Sequence, residues 1–277
     1  MDQTHHETIT RRPRRNPRDS SRGYPKVTGI LPVALEEATK VVQGFLYTGK
    51  EYVCLMQVHA DIAETTLRAV LNEFTGEIYQ KPPLRASVKR EPRKRYIYKI
   101  DVHEIEGRRV LFTCVCQAGT YMRKLCSDIG EVLGCGAHMQ ELRRTRAGPF
   151  KEDETLTNLH QLSAAQSDFE AGDDSALMKI IQPMELALNQ LPKIIIRDSA
   201  VDAVCHGAEL ALPGVVRLDS AIDRNRLVAL FTMKGEAIAL GRSQLTSREI
   251  LDQEKGIAAK VERVIMERGT YPAMWKH

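Results

Sequence analysis

The residues whose types and spacing most suggest chemistry stand in "AGTYMRKL", residues 118–125. Thr120 is a sensible helix N-cap, so Arg123 falls in the first turn, where the helix dipole and the capping-box pattern both favour an acid. A cation there is locally unfavourable. It is either a solvent-facing side chain or a group kept for an anion, and its surroundings favour the anion. Gly119 permits close backbone approach, while Tyr121 and Arg123 leave one strand-to-helix corner together, able to hold an anion and a flat base. Tyr52, after "GK" at the start of a predicted strand, is a second aromatic that could be a stacking platform or plain core. Lys89 in "ASVKR" and the trio Arg143, Arg144 and Arg146 are phosphate-contact candidates, with solvated surface as the alternative.

The charge distribution supports a polyanionic partner. The 277 residues carry a formal charge of only +4, but residues 80–99 hold eight Lys or Arg against one Glu, with Tyr96 and Tyr98 interleaved. Residues 141–151 hold four against one, and acids collect in "DFEAGDD" at 168–174. Six cysteines lie mostly within apolar stretches with no signal peptide ahead of them, which fits a reduced, cytoplasmic protein. Cys126, Cys135 and His138 lack the paired C-x-x-C spacing of a zinc knuckle, so no metal is expected. No G-x-G-x-x-G or G-K-[ST] loop is present, so a nucleotide cofactor or a methyltransferase reading has no support. No apolar run approaches the roughly 20 residues that span a bilayer.

The elements that must position these residues are legible in part. Residues 1–24 contain six Arg, two His and almost nothing apolar, and read as a disordered basic leader. From Glu36 a helix is predicted, with Val41, Val42, Phe45 and Leu46 on one face and Gly49 as its stop; "EYVCLMQVH" reads as a strand. "ETTLRAVLNEFTGEI" predicts a helix capped by threonine, with Leu67, Val70, Leu71 and Phe74 inward. A proline-rich basic loop follows, then an antiparallel hairpin turning at Glu106 and Gly107. The helix carrying Arg123 is predicted to turn Met122, Leu125, Ile129 and Val132 inward. An acidic helical connector spans about 151–185. After it come five short strands, "KIIIRD", "VVRLD", "RLVALFTM", "EAIALGR" and "KVERVIM", with one helix ended by Gly207, the pattern of a small β-barrel.

In this order, "PKVTGILPVALEEATK", "GKEYVCLM", "PPLRASVKR", "AGTYMRKL", "LGCGAHMQELRRTRAGPF" and "LPKIIIRDSAVDAVCHGAELALPGV" resemble the TruB and dyskerin family of RNA pseudouridine synthases, closest to the archaeal member of H/ACA guide-RNA particles. The resemblance runs from Pro25 to His277. It implies an α+β pseudouridine synthase fold with a mixed, mainly antiparallel sheet over 25–185 and a PUA β-barrel over 186–277. It also implies cofactor-free isomerisation of a flipped-out uridine through an Asp nucleophile. By motif, Tyr52 would stack on the base and help remove a proton at the end, Arg123 would ion-pair with the Asp, and Tyr121 and Leu142 would line the pocket. Lys89, Arg143, Arg144, Arg146 and, in the barrel, Gly207 would hold RNA. The implied partners are H/ACA guide RNA, an rRNA or tRNA substrate and the small proteins of the particle.

One departure is decisive for activity. The family reads close to G-H-S-G-T-L-D-P-K-V-T-G, with the nucleophile immediately before the proline; here "RDSSRGY" stands before Pro25, so Tyr24 occupies the nucleophile's place. A phenol with a pKa near 10 is a poor substitute beside a guanidinium, and Asp19 lies five residues too early. The family's opening segment has no counterpart, which would leave apolar sheet surface uncovered. The sequence therefore predicts little or no turnover by the chain as written. A shifted reading frame ahead of codon 25 and a paralogue kept as an RNA-binding scaffold are the two accounts of this start; intact Tyr52 and Arg123 speak for the first.

Overall fold

The computed structural model describes residues 27–46, 48–82 and 91–273. Tyr24, Lys89 and the basic leader lie outside the described residues. The N-terminal half runs β1 (Val27–Gly29), a 3-10 turn over Glu36–Val41, α1 (Val42–Leu46), β2 (Lys50–Val58) and α2 (Glu64–Glu73). It continues through β3 (Gly76–Gln80), β4 (Arg93–Glu106), β5 (Arg109–Cys116), α3 (Met122–Val132), β6 (Ala137–Ala147) and β7 (Phe150–Lys151). The strands form one sheet in the order β1-β6-β2-β5-β4-β3, with β7 hydrogen-bonded to β6. β1 is parallel to β6 and the other pairings are antiparallel, giving the mixed sheet the sequence implies.

Cys54, Met56, Phe112 and Cys114 project from one face of this sheet and pack under Leu67 and Leu71 of α2 and Leu125 and Ile129 of α3. α3 can approach because of Gly130: a Cβ there would come within 2.0 Å of the Ala137 backbone nitrogen at the start of β6. The inward stripe of α3 is Met122, Leu125, Cys126, Ile129 and Gly130. Val132 was expected inward but is exposed; seven residues beyond Leu125 it lies on nearly the same side of the helix, but it is the last residue of α3.

The connector supplies α4 (Leu159–Glu170), α5 (Ser175–Ile180) and a 3-10 turn over Met184–Leu188. All five strands expected beyond it form, as β8 (Lys193–Ile196), β10 (Val215–Leu218), β11 (Leu227–Phe231), β12 (Ala237–Ser243) and β13 (Ile257–Val264). The short β9 (Leu210–Ala211) closes a six-stranded sheet of order β10-β8-β11-β12-β13-β9, on which α6 (Asp198–Cys205) and α7 (Ser247–Asp252) pack. A third apolar cluster joins the halves, with Val41, Phe45 and Phe150 meeting Leu188, Ala229, Phe231 and Leu240.

Three further expectations differ from the structure. The helix at Glu36 opens as 3-10 geometry behind a Glu36 with φ 44, and only its last five residues are α-helical. α2 is capped by Ala63 without a side-chain hydrogen bond, so its threonines lie inside the helix. β1, β3 and β6 were not anticipated; the charges along β6 conceal its alternation.

Two stability predictions follow from these contacts. Gly130→Ala drives a methyl into backbone that cannot move aside, so urea denaturation should show a loss of at least about 2 kcal/mol. In the C-terminal half, Glu249 accepts from Arg224 Nε at 3.0 Å and from the Thr246 backbone N–H at 2.8 Å, which holds its carboxyl down at about 2. Its ionised form therefore contributes stability fully above about pH 4.5, and that contribution disappears as pH falls toward 2. Glu249→Gln should lower Tm at pH 7 and flatten the acid limb of a Tm-against-pH curve.

Candidate active site

Two bulges in β6 decide which of its side chains share a face. Met139 is opposite Met56 and Leu142 opposite Cys54, which leaves Gln140 as an extra residue; Arg144 is opposite Tyr52 and Arg146 opposite Glu51, which leaves Thr145 extra. Each extra residue shifts the two-residue alternation by one. Met139, Leu142 and Arg144 therefore join Tyr52 on the face covered by α3, whereas Arg146 is sent to the other side with Glu51.

On the α3 face these residues line a cavity of about 680 Å³. Tyr52, Met139, Leu142 and Arg144 belong to its sheet side; Val27 through Leu31 form a wall, and Tyr121, Arg123, Lys124 and Ser127 come from the start of α3. Four residues separated by up to 90 positions in the chain, Tyr52, Tyr121, Arg123 and Leu142, are thus brought into one space. Arg144 joins them, while Arg143 and Arg146 do not.

The wall is fixed by close backbone contact. Gly29, at φ 99, lies against Arg144 so tightly that a Cβ would come within 2.2 Å of the Arg144 carbonyl oxygen. Ile30 N donates to that carbonyl at 2.9 Å. In return, Arg144 Nε and Nη2 both donate to the Ile30 carbonyl, at 2.8 and 2.6 Å. Arg144 is consequently a clamp between floor and wall.

The helix side is held by a residue with no counterpart among the expected site residues. Gln80, almost fully buried at the end of β3, accepts from Tyr121 N through Oε1 at 2.9 Å and donates from Nε2 to Tyr121 O at 3.3 Å. Tyr121, not Thr120, is the N-cap of α3, and its side chain makes no capping hydrogen bond; Thr120 Oγ1 donates back to Gln117 O at 2.7 Å. Gln80 therefore orients the first turn that carries Arg123. The sequence held one clue, a polar side chain ending an otherwise alternating strand, but its partner is 41 residues away.

The cavity is electropositive and partly apolar. Lys124 is paired with Asp128 one turn on, and Arg144 is engaged as described. Arg123 has no hydrogen-bond or ion-pair partner among the described residues, and no carboxylate among them lines the cavity. Burial pushes the Tyr52 phenol above its usual range; the charge of Cys116 on the neighbouring strand adds to the rise and Arg144 opposite it opposes it. The phenol is thus neutral at physiological pH, suited to stacking and hydrogen bonding. The arrangement can hold a flat ring between Tyr52 and an apolar wall, with an anion placed at Arg123 and the helix start.

The remaining expected residues lie elsewhere. Arg143 is chelated by Glu152, with Nε donating to Oε2 at 2.9 Å. Arg146 Nε is 3.9 Å from the Glu51 carboxylate, and Thr145 Oγ1 donates to Glu51 at 2.8 Å; these groups, with Lys151, line a second cavity of about 410 Å³. Gly207, at φ 89, follows α6 in the C-terminal half with open space around its Cα. Cys126, Cys135 and His138 part company: Cys126 Sγ is 3.6 Å from Cys54 Sγ, Cys135 donates to Gly136 O, and His138 pairs with His59 at 2.8 Å. No helix among the described residues is long and apolar enough to cross a membrane.

Arg144→Ala removes both donors from the Ile30 carbonyl and should cost about 2–3 kcal/mol in chemical denaturation, the scale of hydrogen bonds from a charged group. Amide exchange at Ile30 should accelerate more than exchange in the C-terminal sheet.

Comparison with known proteins places this geometry in a family. The profile described as "TruB family pseudouridylate synthase (N terminal domain)" matches residues 24–122, "tRNA pseudouridylate synthase B C-terminal domain" matches 123–189, and "PUA domain" matches 192–265. Proteins named "Probable tRNA pseudouridine synthase B" from Methanopyrus kandleri and Thermococcus kodakarensis are 54% and 56% identical over 252 and 253 residues, covering 91% of this chain and 74% and 75% of theirs. The fold is similar to a solved "Cbf5-Nop10-Gar1 Complex" at TM-score 0.86 and 55% identity, over 90% of this chain and 76% of that one. It is also similar to an "H/ACA RNP bound to a substrate RNA containing 2'-deoxyuridine" at TM-score 0.84 and 53% identity, over 91% and 76%. On this evidence the chain belongs to the TruB family of pseudouridine synthases, RNA isomerases whose archaeal members are its near relatives.

Proposed function

We propose that this chain is the synthase subunit of an H/ACA guide-RNA particle. In this reading residues 25–185 form the synthase domain and 186–277 the PUA domain, and the preferred substrate is an rRNA uridine, with the tRNA T loop second. Its partners are guide RNA and small particle proteins of the kind seen with its structural relatives. Tyr52 stacks on the flipped uracil, Tyr121 and Leu142 confine it, and Arg123 is the ion-pair partner of the nucleophilic Asp. Lys89, Arg143, Arg146 and the turn at Gly207 take RNA backbone, while Arg144 acts chiefly by fixing the pocket wall.

With Tyr24 at the nucleophile's position, the chain as written binds its target without turning it over. Isomerisation requires an attacking oxygen to break the bond between C1′ and N1, a turn of the uracil, bond formation from C5 to C1′ and loss of the C5 proton. A phenol, with an ordinary pKa near 10, is a weak nucleophile and carries no charge to match a guanidinium. The observation that carries this reading is the sequence "RDSSRGY" before Pro25, which puts Tyr24 at the nucleophile's place ahead of a wall that closes a cavity shared by Tyr52, Tyr121, Arg123 and Leu142. Val27, three residues after Tyr24, lines the same cavity.

Incubated with guide RNA, particle proteins and target, the chain should bind RNA yet give no pseudouridine above background by nucleoside mass spectrometry. Normal turnover would falsify the loss of the nucleophile. Tyr24→Asp together with a restored histidine-serine-glycine loop should gain activity; a restored chain that binds without turnover supports the scaffold reading instead.

A further inference from the structure

We propose that His59 and His138 form a two-histidine site for a divalent transition-metal ion, on the face of the sheet opposite the catalytic cavity. The inference does not depend on the RNA-binding reading. It rests on two imidazoles that strand register brings together: His59 Nε2 and His138 Nδ1 are 2.8 Å apart, with ring centroids 5.1 Å apart and planes at 42°. Both residues are exposed, and neither lines the cavity. The neighbour of His138 is thus a histidine, not the Cys126 or Cys135 of the zinc grouping weighed in the sequence.

Backbone pairing builds the site. Gln57 is opposite His138 and Val58 opposite Ala137 in β2 and β6, and His59 N donates to Gly136 O at 3.0 Å, carrying the ladder one residue further. Val58, Ala137 and Met139 are buried on the core side, so His59 and His138 face the other way. They are diagonal neighbours, a relation that ring side chains can span. Gly136 makes room for them: its φ is 77, and a Cβ there would come within 2.9 Å of His59 Nδ1.

An imidazole nitrogen free of its proton is a metal donor suited to copper, nickel and zinc. With metal–nitrogen bonds of about 2.0–2.1 Å, two donors 2.8 Å apart subtend about 85° at the ion. That is the cis angle of a tetragonal or octahedral ion, which fits Cu²⁺ and Ni²⁺ and is narrow for tetrahedral Zn²⁺. The ion replaces the proton that the two nitrogens share, and this proton moves through solvent to the far nitrogen of its own ring, so each ring stays neutral. No third His, Cys, Asp or Glu among the described residues completes a metal-binding group. Asp61 is engaged by Arg108 Nε and Nη2 at 2.7 and 3.1 Å, and Cys135 Sγ donates to Gly136 O. Water fills the other positions, which makes the ion exchangeable. Once bound, it ties the end of β2 to the start of β6, the strands that carry Tyr52 and Leu142.

The test is calorimetric titration of the full chain with NiCl₂, CuCl₂ and ZnCl₂, paired with thermal melts. His5 and His6 are adjacent in the leader, so His5→Gln with His6→Gln serves as the background. That background should take up one equivalent of Ni²⁺, with Cu²⁺ bound more tightly than either Ni²⁺ or Zn²⁺. At a hundredfold excess over the dissociation constant Ni²⁺ should raise Tm by about 5 °C. His59→Gln and His138→Gln, each at an exposed side chain whose loss leaves the core filled, should each weaken Ni²⁺ binding on the order of tenfold or more and remove the Tm rise. The site is overturned if neither Ni²⁺ nor Cu²⁺ binds the background below about 1 mM. It is equally overturned if either single variant binds Ni²⁺ as tightly as the background.

Discussion

A guanidinium at the first turn of a helix, opening into a partly apolar cavity without a carboxylate partner among the described residues, is the interaction on which the site turns. Arg123 sits in the first turn of α3, where the helix dipole disfavours a cation, so its position has to be imposed by surrounding structure. Gln80 fixes the backbone at Tyr121, Gly130 lets α3 press against the sheet, and the Arg144–Ile30 clamp fixes the wall opposite. These contacts hold in place a cation that faces the cavity without a carboxylate among the described lining residues.

How much of this was legible in sequence depended on whether the responsible contacts were local. The C-terminal strands were readable because alternation and turn residues recur at short spacing, and Arg123 was conspicuous because its helix position broke a local rule. β6 was not legible as a strand. Its two bulges and its run of charges break the alternation that would have announced it, and only pairing with β2 shows that Arg144 faces the cavity while Arg146 faces away. Reading Arg143, Arg144 and Arg146 as one phosphate-binding run treated as equivalent three cations that the bulge and Glu152 separate. Gln80 was missed for a related reason: its hydrogen-bond partner is made available by tertiary packing, which a single sequence does not display.

The two halves share an apolar seam in which α1 and the 3-10 turn at Met184–Leu188 meet the C-terminal sheet. α1 leads directly toward β2 and Tyr52, and β7, with Phe150, pairs antiparallel with the end of β6. The seam therefore touches the strands that build the cavity floor. The two halves are thus joined through packed side chains rather than a free linker.

The most direct measurement is photo-crosslinking of the intact chain to an RNA carrying a single 4-thiouridine at the target position, followed by mass spectrometry of the crosslinked peptides. Entry of the base into the cavity predicts adducts on the peptides containing Tyr52 or Tyr121, reduced by competing unmodified target. Crosslinks confined to the C-terminal half, with both cavity peptides unlabelled, would contradict the account.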